Sequence, residues 1–153
     1  MLSPGSPAPA LRGPTQDGAF DLARQLGKHV VVYFYPKDMT PGCTTESCDF
    51  RDHHGALLAA GAVVVGVSRD SVASHQKFAA KEALPFPLVS DADGAITEAW
   101  GVWREKKNYG KTYMGIVRST FLVDPQGRIA RVWDGVKVKG HVAEVLAVLK
   151  GGA

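Results

Sequence analysis

Two uninterrupted runs of β-branched and aromatic residues dominate the hydrophobic pattern of this chain. Residues 30–35 read Val-Val-Val-Tyr-Phe-Tyr, and residues 62–68 read Ala-Val-Val-Val-Gly-Val-Ser. Apolar runs that do not alternate with polar residues are typical of strands buried on both faces of a sheet. We therefore predict two central strands at these positions, the first of which ends at Pro36.

A long helix is predicted to follow the first strand, over residues 41–60. Thr40 is a favourable N-cap residue, and Pro41 takes the first helical position, where the missing N–H of proline is no loss. Gly61 ends the helix as its C′ residue. Cys43 then lies among backbone amides that no helical carbonyl can satisfy.

Shorter elements follow in alternation. A second helix is predicted from a cap at Asp70 or Ser71 to about Glu82, and an apolar stripe predicts a closing helix over residues 141–150. The remaining predicted elements are a strand at 86–89, a helical turn at 95–100, and a hairpin of strands 119–123 and 129–133 around a type I turn at 124–127.

Two stretches lack a clear period. Residues 1–18 are rich in Pro and Gly and predict an extended lead-in with at most a short strand or hairpin near Ala10 and Phe20. Residues 101–117 are polar, basic and aromatic, and we interpret them as a long loop that flanks the active site.

The order of these elements predicts an α/β fold with a mixed central sheet and helices on both faces. With 153 residues, 45% of them hydrophobic, the chain is expected to form one domain over residues 1–153. Such folds bind ligands at the carboxyl ends of parallel strands, and the segment from Pro36 to Cys43 leaves the first central strand at such an end.

Charge and hydropathy exclude several classes of partner. The formal charge of +3 comes from scattered Lys and Arg residues, which argues against nucleic acid. No run approaches the roughly 18 apolar residues of a membrane span. The first 13 residues contain no apolar stretch typical of a signal peptide, so we predict a cytoplasmic protein.

The two cysteines, Cys43 and Cys48, are the main candidates for chemistry. In a reducing compartment, two cysteines five residues apart are typical of catalytic or redox-active thiols rather than of a permanent disulfide. The start of a helix carries partial positive charge and free N–H donors, so the position of Cys43 favours an ionised sulfur.

A straight helix keeps the two cysteines apart. Five residues advance about 7.5 Å and turn about 140°, which places the two Cα atoms on the order of 8.6 Å apart. Disulfides need a Cα separation below roughly 7 Å. If Cys43 and Cys48 pair, the first turns of the helix must therefore unwind, which the poor helix propensity of Thr44, Thr45 and Ser47 favours.

Two other interpretations of the cysteines remain open at this point. In the first interpretation, both cysteines are small buried hydrophobic residues, although a Pro-Gly helix start is poorly placed for burial. Alternatively, Cys43, Cys48 and His53 bind a metal ion, although equal spacing by five residues spreads them around the helix instead of converging on one ion.

The segment Pro36-Lys37-Asp38-Met39-Thr40-Pro41-Gly42-Cys43 resembles the Pro-x-x-x-Thr-x-x-Cys signature of peroxiredoxins. The second cysteine five residues later resembles the Q type, also called the bacterioferritin comigratory protein type. Segment 100–103 with Lys106 and Lys107, and segments 113–124 and 137–141, extend the resemblance over nearly the whole chain.

The resemblance implies a thioredoxin-like peroxiredoxin fold and a role for each matching residue. Cys43 matches the peroxidatic cysteine, which attacks a hydroperoxide, and Thr40 matches the residue whose hydroxyl holds that substrate. Pro36 matches the residue that shields the sulfur from water. Arg118 matches the arginine that approaches the thiolate, and Cys48 matches the resolving cysteine.

The resemblance also implies the reaction cycle and its partners. Hydrogen peroxide and organic hydroperoxides would oxidise Cys43, an intramolecular Cys43–Cys48 disulfide would follow, and thioredoxin or a glutaredoxin-type protein would reduce it. The enzyme would be a monomer that acts in antioxidant defence without a metal or other cofactor. The alternatives are a thioredoxin-like disulfide carrier without peroxidase activity and a metal-binding module.

Overall fold

The computed structural model describes residues 2–151. Within this range the strands are β1 (Arg12–Thr15), β2 (Gly18–Asp21), β3 (His29–Phe34), β4 (Ala62–Ser68), β5 (Leu88–Ser90), β6 (Trp103–Asn108), β7 (Lys111–Ile116), β8 (Ser119–Val123) and β9 (Ile129–Asp134). The helices are α1 (Pro41–Asp52), α2 (His54–Ala59), α3 (Val72–Glu82), α4 (Ala95–Ala99) and α5 (His141–Leu149), and one 3₁₀ turn spans Leu22–Gln25.

Seven strands form one mixed sheet in the order β2-β1-β5-β4-β3-β8-β9. The central strand β3 runs parallel to β4, with Val32 opposite Val65, and antiparallel to β8, with Val32 opposite Phe121. These β-branched and aromatic residues are all buried, as their unbroken apolar runs predict. The predicted mixed sheet is confirmed.

The side chains of β3 alternate between two cores. Val32 and Phe34 pack against α4 residues and the base of β7, while Val31 and Tyr33 pack against residues of α1, α2, α3 and α5. Helices therefore cover both faces of the sheet, as predicted. The core that contains α1 is the one that positions the candidate site.

Several predicted boundaries are confirmed by backbone geometry. Strands β4 and β8 have the bounds predicted from the sequence. The hydroxyl of Ser71 accepts a hydrogen bond from the amide of Ser74, so Ser71 rather than Asp70 caps α3. Gly61 follows the end of α2 with a φ of +86°, the left-handed conformation that favours glycine as a C′ residue.

The single helix predicted over residues 41–60 is wrong, because the chain forms α1 and α2 with a break at His53. His53 has φ −98° and ψ 2°. Its ring Nδ1 donates to the carbonyl of Asp49 at 2.8 Å, and that carbonyl also accepts the backbone amide of His53. The break between α1 and α2 lies at this shared carbonyl, where the backbone of His53 departs from helical angles.

The long loop predicted over residues 101–117 is also wrong, because β6 and β7 form a two-stranded antiparallel hairpin. Its tight turn contains Tyr109 and Gly110, both with positive φ (49° and 76°), which is the geometry of a type I′ turn. Most side chains of this hairpin are exposed, so its residues need no apolar alternation. This lack of pattern explains the error.

The lead-in contains the hairpin that the sequence permits near Phe20, formed by β1 and β2. Residue 1 of the predicted lead-in and residues 152–153 of the predicted domain lie outside the described range. Across residues 2–151, every helix is too short or too polar to pass through a lipid bilayer.

Candidate active site

Cys43 lies on the inner face of α1. Residues 43, 46, 47 and 50 follow helical spacing, and all four side chains are buried against the core formed with β3. Cys43 is only 1% exposed. The expectation that a Pro-Gly helix start places this cysteine poorly for burial is therefore wrong, because the helical register turns it inward.

The N-terminus of α1 surrounds this sulfur with unused backbone donors. Pro41 is the first helical residue, and the first intrahelical hydrogen bond runs from the amide of Thr44 to the carbonyl of Thr40 at 2.8 Å. The amides of Gly42 and Cys43 thus precede the helical hydrogen-bond series. They contribute partial positive charge where an anionic sulfur or oxygen would develop.

Arg118 brings a full positive charge to the same point. It lies between β7 and β8, and its Nη2 donates to Cys43 Sγ at 3.3 Å while its Nη1 donates to Glu46 Oε1 at 2.6 Å. A Cβ atom on Gly42 would lie 3.2 Å from Nη2, so glycine leaves room for the guanidinium. The structure brings together Cys43 and Arg118, two residues that the resemblance selected.

Glu46 is a site residue that sequence reasoning missed. Its side chain is fully buried, and burial raises its pKa to about 7 despite the opposing effect of Arg118. Within the described residues, its Oε2 has no hydrogen-bond partner. The position of Glu46 three residues after Cys43 places both side chains on one helix face, and this spacing was the available signal.

Lys106 adds a second cation from the β6–β7 hairpin. Its Nζ donates to the carbonyl of Ile116 at 2.9 Å, and its stem passes close to Gly115, where a Cβ would lie 3.0 Å from Lys106 Cδ. Burial and the charge of Arg118 lower the pKa of Lys106, while Cys43 raises it. The sequence resemblance included Lys106 but assigned it no role.

Thr40 has the extended backbone of an N-cap residue, as predicted, but its hydroxyl does not cap the helix. The hydroxyl instead donates to the carbonyl of Lys37 at 2.8 Å. Pro36 lies two residues beyond the end of β3 and is half-buried. The substrate-holding role of Thr40 and the shielding role of Pro36 stay predictions.

Asp38, which sequence reasoning also missed, fixes the loop that carries Thr40. Its carboxylate accepts hydrogen bonds from Tyr35 Oη at 2.6 Å, Ser74 Oγ at 2.8 Å and His75 Nδ1 at 2.6 Å. Both Asp38 and His75 are buried. A buried carboxylate with three donors holds this loop firmly against α3.

Cys48 occupies a different environment on the same helix. It is half-buried, and its thiol donates to Glu82 Oε1 at 3.7 Å. Burial raises its pKa, Arg51 lowers it and Glu82 raises it, with a net shift upward. Both cysteines are free thiols on an intact α1.

Metal-ligand geometry does not occur within residues 2–151, where no three His, Cys, Asp or Glu side chains lie close enough together to hold one ion. In particular, the side chains of Cys43, Cys48 and His53, the alternative metal ligands, do not meet at one position.

The match to known proteins decides the family. The model of the AhpC/TSA family matches residues 4–132. The chain belongs to the AhpC/TSA family. Among its relatives, peroxiredoxin Bcp of Bacillus subtilis is 57% identical over 129 residues, which cover 84% of this chain and 82% of that protein.

Solved peroxiredoxin structures share its architecture. A cysteine-to-serine mutant of PrxQ from Xylella fastidiosa has a TM-score of 0.90 and 40% identity, covering 99% of this chain and 97% of that one. The bacterioferritin comigratory protein of Xanthomonas campestris, studied for its alkyl peroxide reduction activity, has a TM-score of 0.87 and 48% identity, covering 92% and 90% of the two chains.

These similarities confirm the expected peroxiredoxin of Bcp/PrxQ type and its thioredoxin-like α/β fold. Peroxiredoxins are peroxidases, so the predicted enzyme class is confirmed as well. The roles of individual residues, the reductant and the oligomeric state stay predictions.

Proposed function

We propose that this peroxiredoxin reduces hydrogen peroxide and organic hydroperoxides through Cys43, resolves the product with Cys48, and is recycled by thioredoxin. The observation that carries this proposal is the 3.3 Å contact between Arg118 Nη2 and Cys43 Sγ at the start of α1. A guanidinium beside a thiol favours the ionised sulfur, which is the form that attacks peroxides.

In the first step the Cys43 thiolate attacks one oxygen of the peroxide. A sulfur–oxygen bond forms and the oxygen–oxygen bond breaks, so the sulfur becomes a sulfenic acid. The other oxygen leaves as hydroxide or alkoxide and takes a proton from the solvent, which gives water or an alcohol. Negative charge grows on both oxygens during this step. The amide of Cys43 and the guanidinium of Arg118 are the donors that stabilise it. The hydroxyl of Thr40, which donates to the carbonyl of Lys37 without substrate, turns toward the peroxide as a third donor.

Burial strengthens this electrostatic effect. Charges and dipoles interact more strongly where water is excluded, and Cys43 is almost completely buried. Glu46 holds the second arm of Arg118 and so fixes the direction of the first. Pro41 and Gly42, which precede Cys43 at the start of α1, are exposed, and we expect a small peroxide to enter from this side.

In the second step Cys48 attacks the sulfenic sulfur of Cys43. The S–O bond breaks, a disulfide forms, and water leaves with the thiol proton of Cys48. Because both cysteines lie on one helix, α1 must first unwind locally. The predicted intramolecular disulfide therefore couples each catalytic cycle to a local unfolding event.

In the third step thioredoxin reduces the disulfide by thiol–disulfide exchange. A glutaredoxin-type protein is the alternative reductant. We further propose that the enzyme acts as a monomer in the cytoplasm. The studied activity of the Xanthomonas campestris relative toward alkyl peroxides supports the inclusion of organic hydroperoxides among the substrates.

Stopped-flow oxidation with hydrogen peroxide and cumene hydroperoxide, with and without thioredoxin and its reductase, tests this cycle. We expect one rapid oxidation per protein without thioredoxin and continuous peroxide consumption with it. An insulin-reduction assay on the same preparation is the control for a disulfide carrier. Insulin reduction without peroxide consumption would contradict the proposal. Continuous peroxide consumption with glutaredoxin but not with thioredoxin would identify glutaredoxin as the reductant instead of thioredoxin.

A further inference from the structure

Two side chains of α1 contact one residue at the end of α3. Cys48 and Arg51 are three residues apart, which places them on the same face of α1, and both reach Glu82. Glu82 is the last residue of α3. The half of α1 that carries Cys48 is therefore joined to the end of α3 through Glu82.

The first attachment uses the backbone of Glu82. Its carbonyl accepts a hydrogen bond from Arg51 Nη1 at 2.7 Å. The carbonyls at the end of a helix have no intrahelical partner and carry partial negative charge, so an arginine is a favourable partner there. α3 ends at this point because Ala83 adopts the left-handed conformation, with φ 52°.

The second attachment uses the side chain of Glu82. Its Oε1 accepts the thiol of Cys48 at 3.7 Å. Three charged groups act on this thiol: Arg51 and Asp52 from α1 and Glu82 from α3. The carboxylate of Glu82 opposes ionisation of Cys48, whereas Arg51 favours it.

We propose that Glu82 is a positioning residue that restrains Cys48 and thereby sets the rate of disulfide formation. This inference rests on the proposed role of Cys48 as the resolving cysteine. The two attachments keep α1 folded and hold the thiol away from Cys43. Both must break before Cys48 can reach the sulfenic acid.

The restraint acts on one step only. When Cys48 attacks, its sulfur bonds to the sulfur of Cys43, and the thiol proton leaves with the hydroxyl group as water, so Glu82 need not accept a proton. The time that the sulfenic acid waits also decides its fate, because a second peroxide can oxidise it to sulfinic acid. Glu82 therefore influences sensitivity to excess peroxide without touching the substrate.

The test compares Glu82→Gln and Arg51→Met with Lys81→Met, which changes an exposed neighbour on α3. One equivalent of hydrogen peroxide is added, and sulfenic acid and disulfide are followed by rapid quenching and mass spectrometry. We expect disulfide formation to accelerate roughly fivefold in the first two variants, as for the loss of one net hydrogen bond. Oxidation of Cys43 itself should be unchanged in all three.

Alkylation of Cys48 against pH separates the two attachments. We expect the alkylation profile of Cys48 to move to lower pH in Glu82→Gln and to higher pH in Arg51→Met, since the two charges act in opposite directions. Amide hydrogen exchange in residues 47–52 should be faster in both variants than in Lys81→Met. A purely structural defect would not produce opposite pH shifts together with the same kinetic change.

Slower disulfide formation in Glu82→Gln would identify Glu82 as a proton acceptor and overturn the proposal, and an unchanged rate would overturn it as well. Failure of the proposed function is visible independently in Cys48→Ser. If that variant cycles normally with thioredoxin, Cys48 is not the resolving cysteine, whatever the Glu82 variants show.

Discussion

The two cysteines of α1 are chemically identical, but their surroundings are opposite. Cys43 is buried and receives the guanidinium of Arg118, whereas Cys48 is half-buried and donates to the carboxylate of Glu82. The first contact comes from the segment before β8 and the second from the end of α3. We propose that these partners from distant parts of the chain, together with position on the helix, decide which thiol acts as the nucleophile.

The effect of charge on each sulfur is the physical basis of this difference. An anion at Cys43 gains a cation and the free amides of a helix start. An anion at Cys48 faces a carboxylate, and its pKa is raised by burial and by Glu82 despite the presence of Arg51. The two sulfurs of one helix thus face charges of opposite sign, a guanidinium at Cys43 and a carboxylate at Cys48.

Replacement of either cysteine by serine is expected to have the largest effects on peroxide consumption. Cys43→Ser should reduce peroxide consumption by more than about a thousandfold, because the thiolate nucleophile is lost. Cys48→Ser should retain one rapid oxidation but lose cycling with thioredoxin, and its sulfenic acid should be trappable with dimedone. Stopped-flow kinetics and intact-protein mass spectrometry measure both results.

Either of two results would contradict the different roles proposed for Cys43 and Cys48. Peroxide turnover at the normal rate in Cys43→Ser would remove this residue as the nucleophile. Full thioredoxin-coupled cycling in Cys48→Ser would show that another thiol resolves the sulfenic acid. The second result would leave the first step of the proposed cycle intact.

The contribution of the cation is tested by Arg118→Met. We expect the rate of Cys43 oxidation to fall about 10²- to 10³-fold, the usual effect of removing one donor to a developing oxyanion. Arg118→Lys should lie between this variant and the wild type, since lysine keeps the charge but cannot contact Cys43 and Glu46 with two parallel arms. Second-order rate constants from peroxide competition provide the measurement.

Arg12→Met is the matched control, because Arg12 is an exposed arginine on β1. Strands β5 and β4 separate β1 from β3, the strand that leads to α1. Its rate constant should equal that of the wild type. An equal loss in both variants would mean that net charge alone, rather than the contact with the sulfur, accounts for the effect of Arg118.

The pH dependence of the free energy of unfolding tests the ionisation of two buried groups near the site, Glu46 and His141. The pKa of Glu46 rises from 4.5 unfolded to about 7 folded, so the folded state binds more protons and loses stability as the pH rises through that window. Burial lowers the pKa of His141 from 6.5 to about 4, so this residue adds stability as the pH rises from 4 to 6.5. The two effects oppose each other.

In Glu46→Gln only the effect of His141 remains, so the free energy of unfolding should rise from pH 4.5 to 6.5. In His141→Gln only the effect of Glu46 remains, so the free energy of unfolding should fall as the pH rises. Each full effect is about 3 kcal/mol at most. Urea unfolding at several pH values measures these slopes, and Glu105→Gln, an exposed carboxylate, is the control. Parallel profiles for all variants would rule out a titrating Glu46.

Thr40 should give the smallest effect. Thr40→Val removes the hydroxyl that donates to Lys37 and that we propose turns toward the peroxide, and we expect oxidation of Cys43 to slow about tenfold. Thr40→Ser keeps the hydroxyl and should retain most of the rate. Equal losses in both variants would assign the effect to packing of the methyl group.

The sequence predicted the buried strands well because their apolar residues face two cores at once. Strand β4 has the predicted bounds for this reason. The β6–β7 hairpin was missed because most of its side chains face solvent and no core imposes a period on them. Lys106 was part of the resemblance, but no role was predicted for it.

The candidate site shows the same limit. Arg118 was identified through resemblance to a family, since nothing in local spacing links it to Cys43. Glu46 was open to prediction from helical spacing alone. The hydrogen bonds of Asp38 with His75 join loops and helices far apart in the chain, and no period in the sequence reports such contacts.

The antiparallel pairing of β3 with β8 has a consequence for the newly made protein. This pairing places Ser119 opposite Phe34 and so delivers Arg118 to a cysteine 75 residues earlier. A nascent chain that ends before β8 already contains both thiols but lacks the guanidinium. The activation of Cys43 that we propose for Arg118 therefore requires synthesis of most of the polypeptide and formation of this long-range strand pairing.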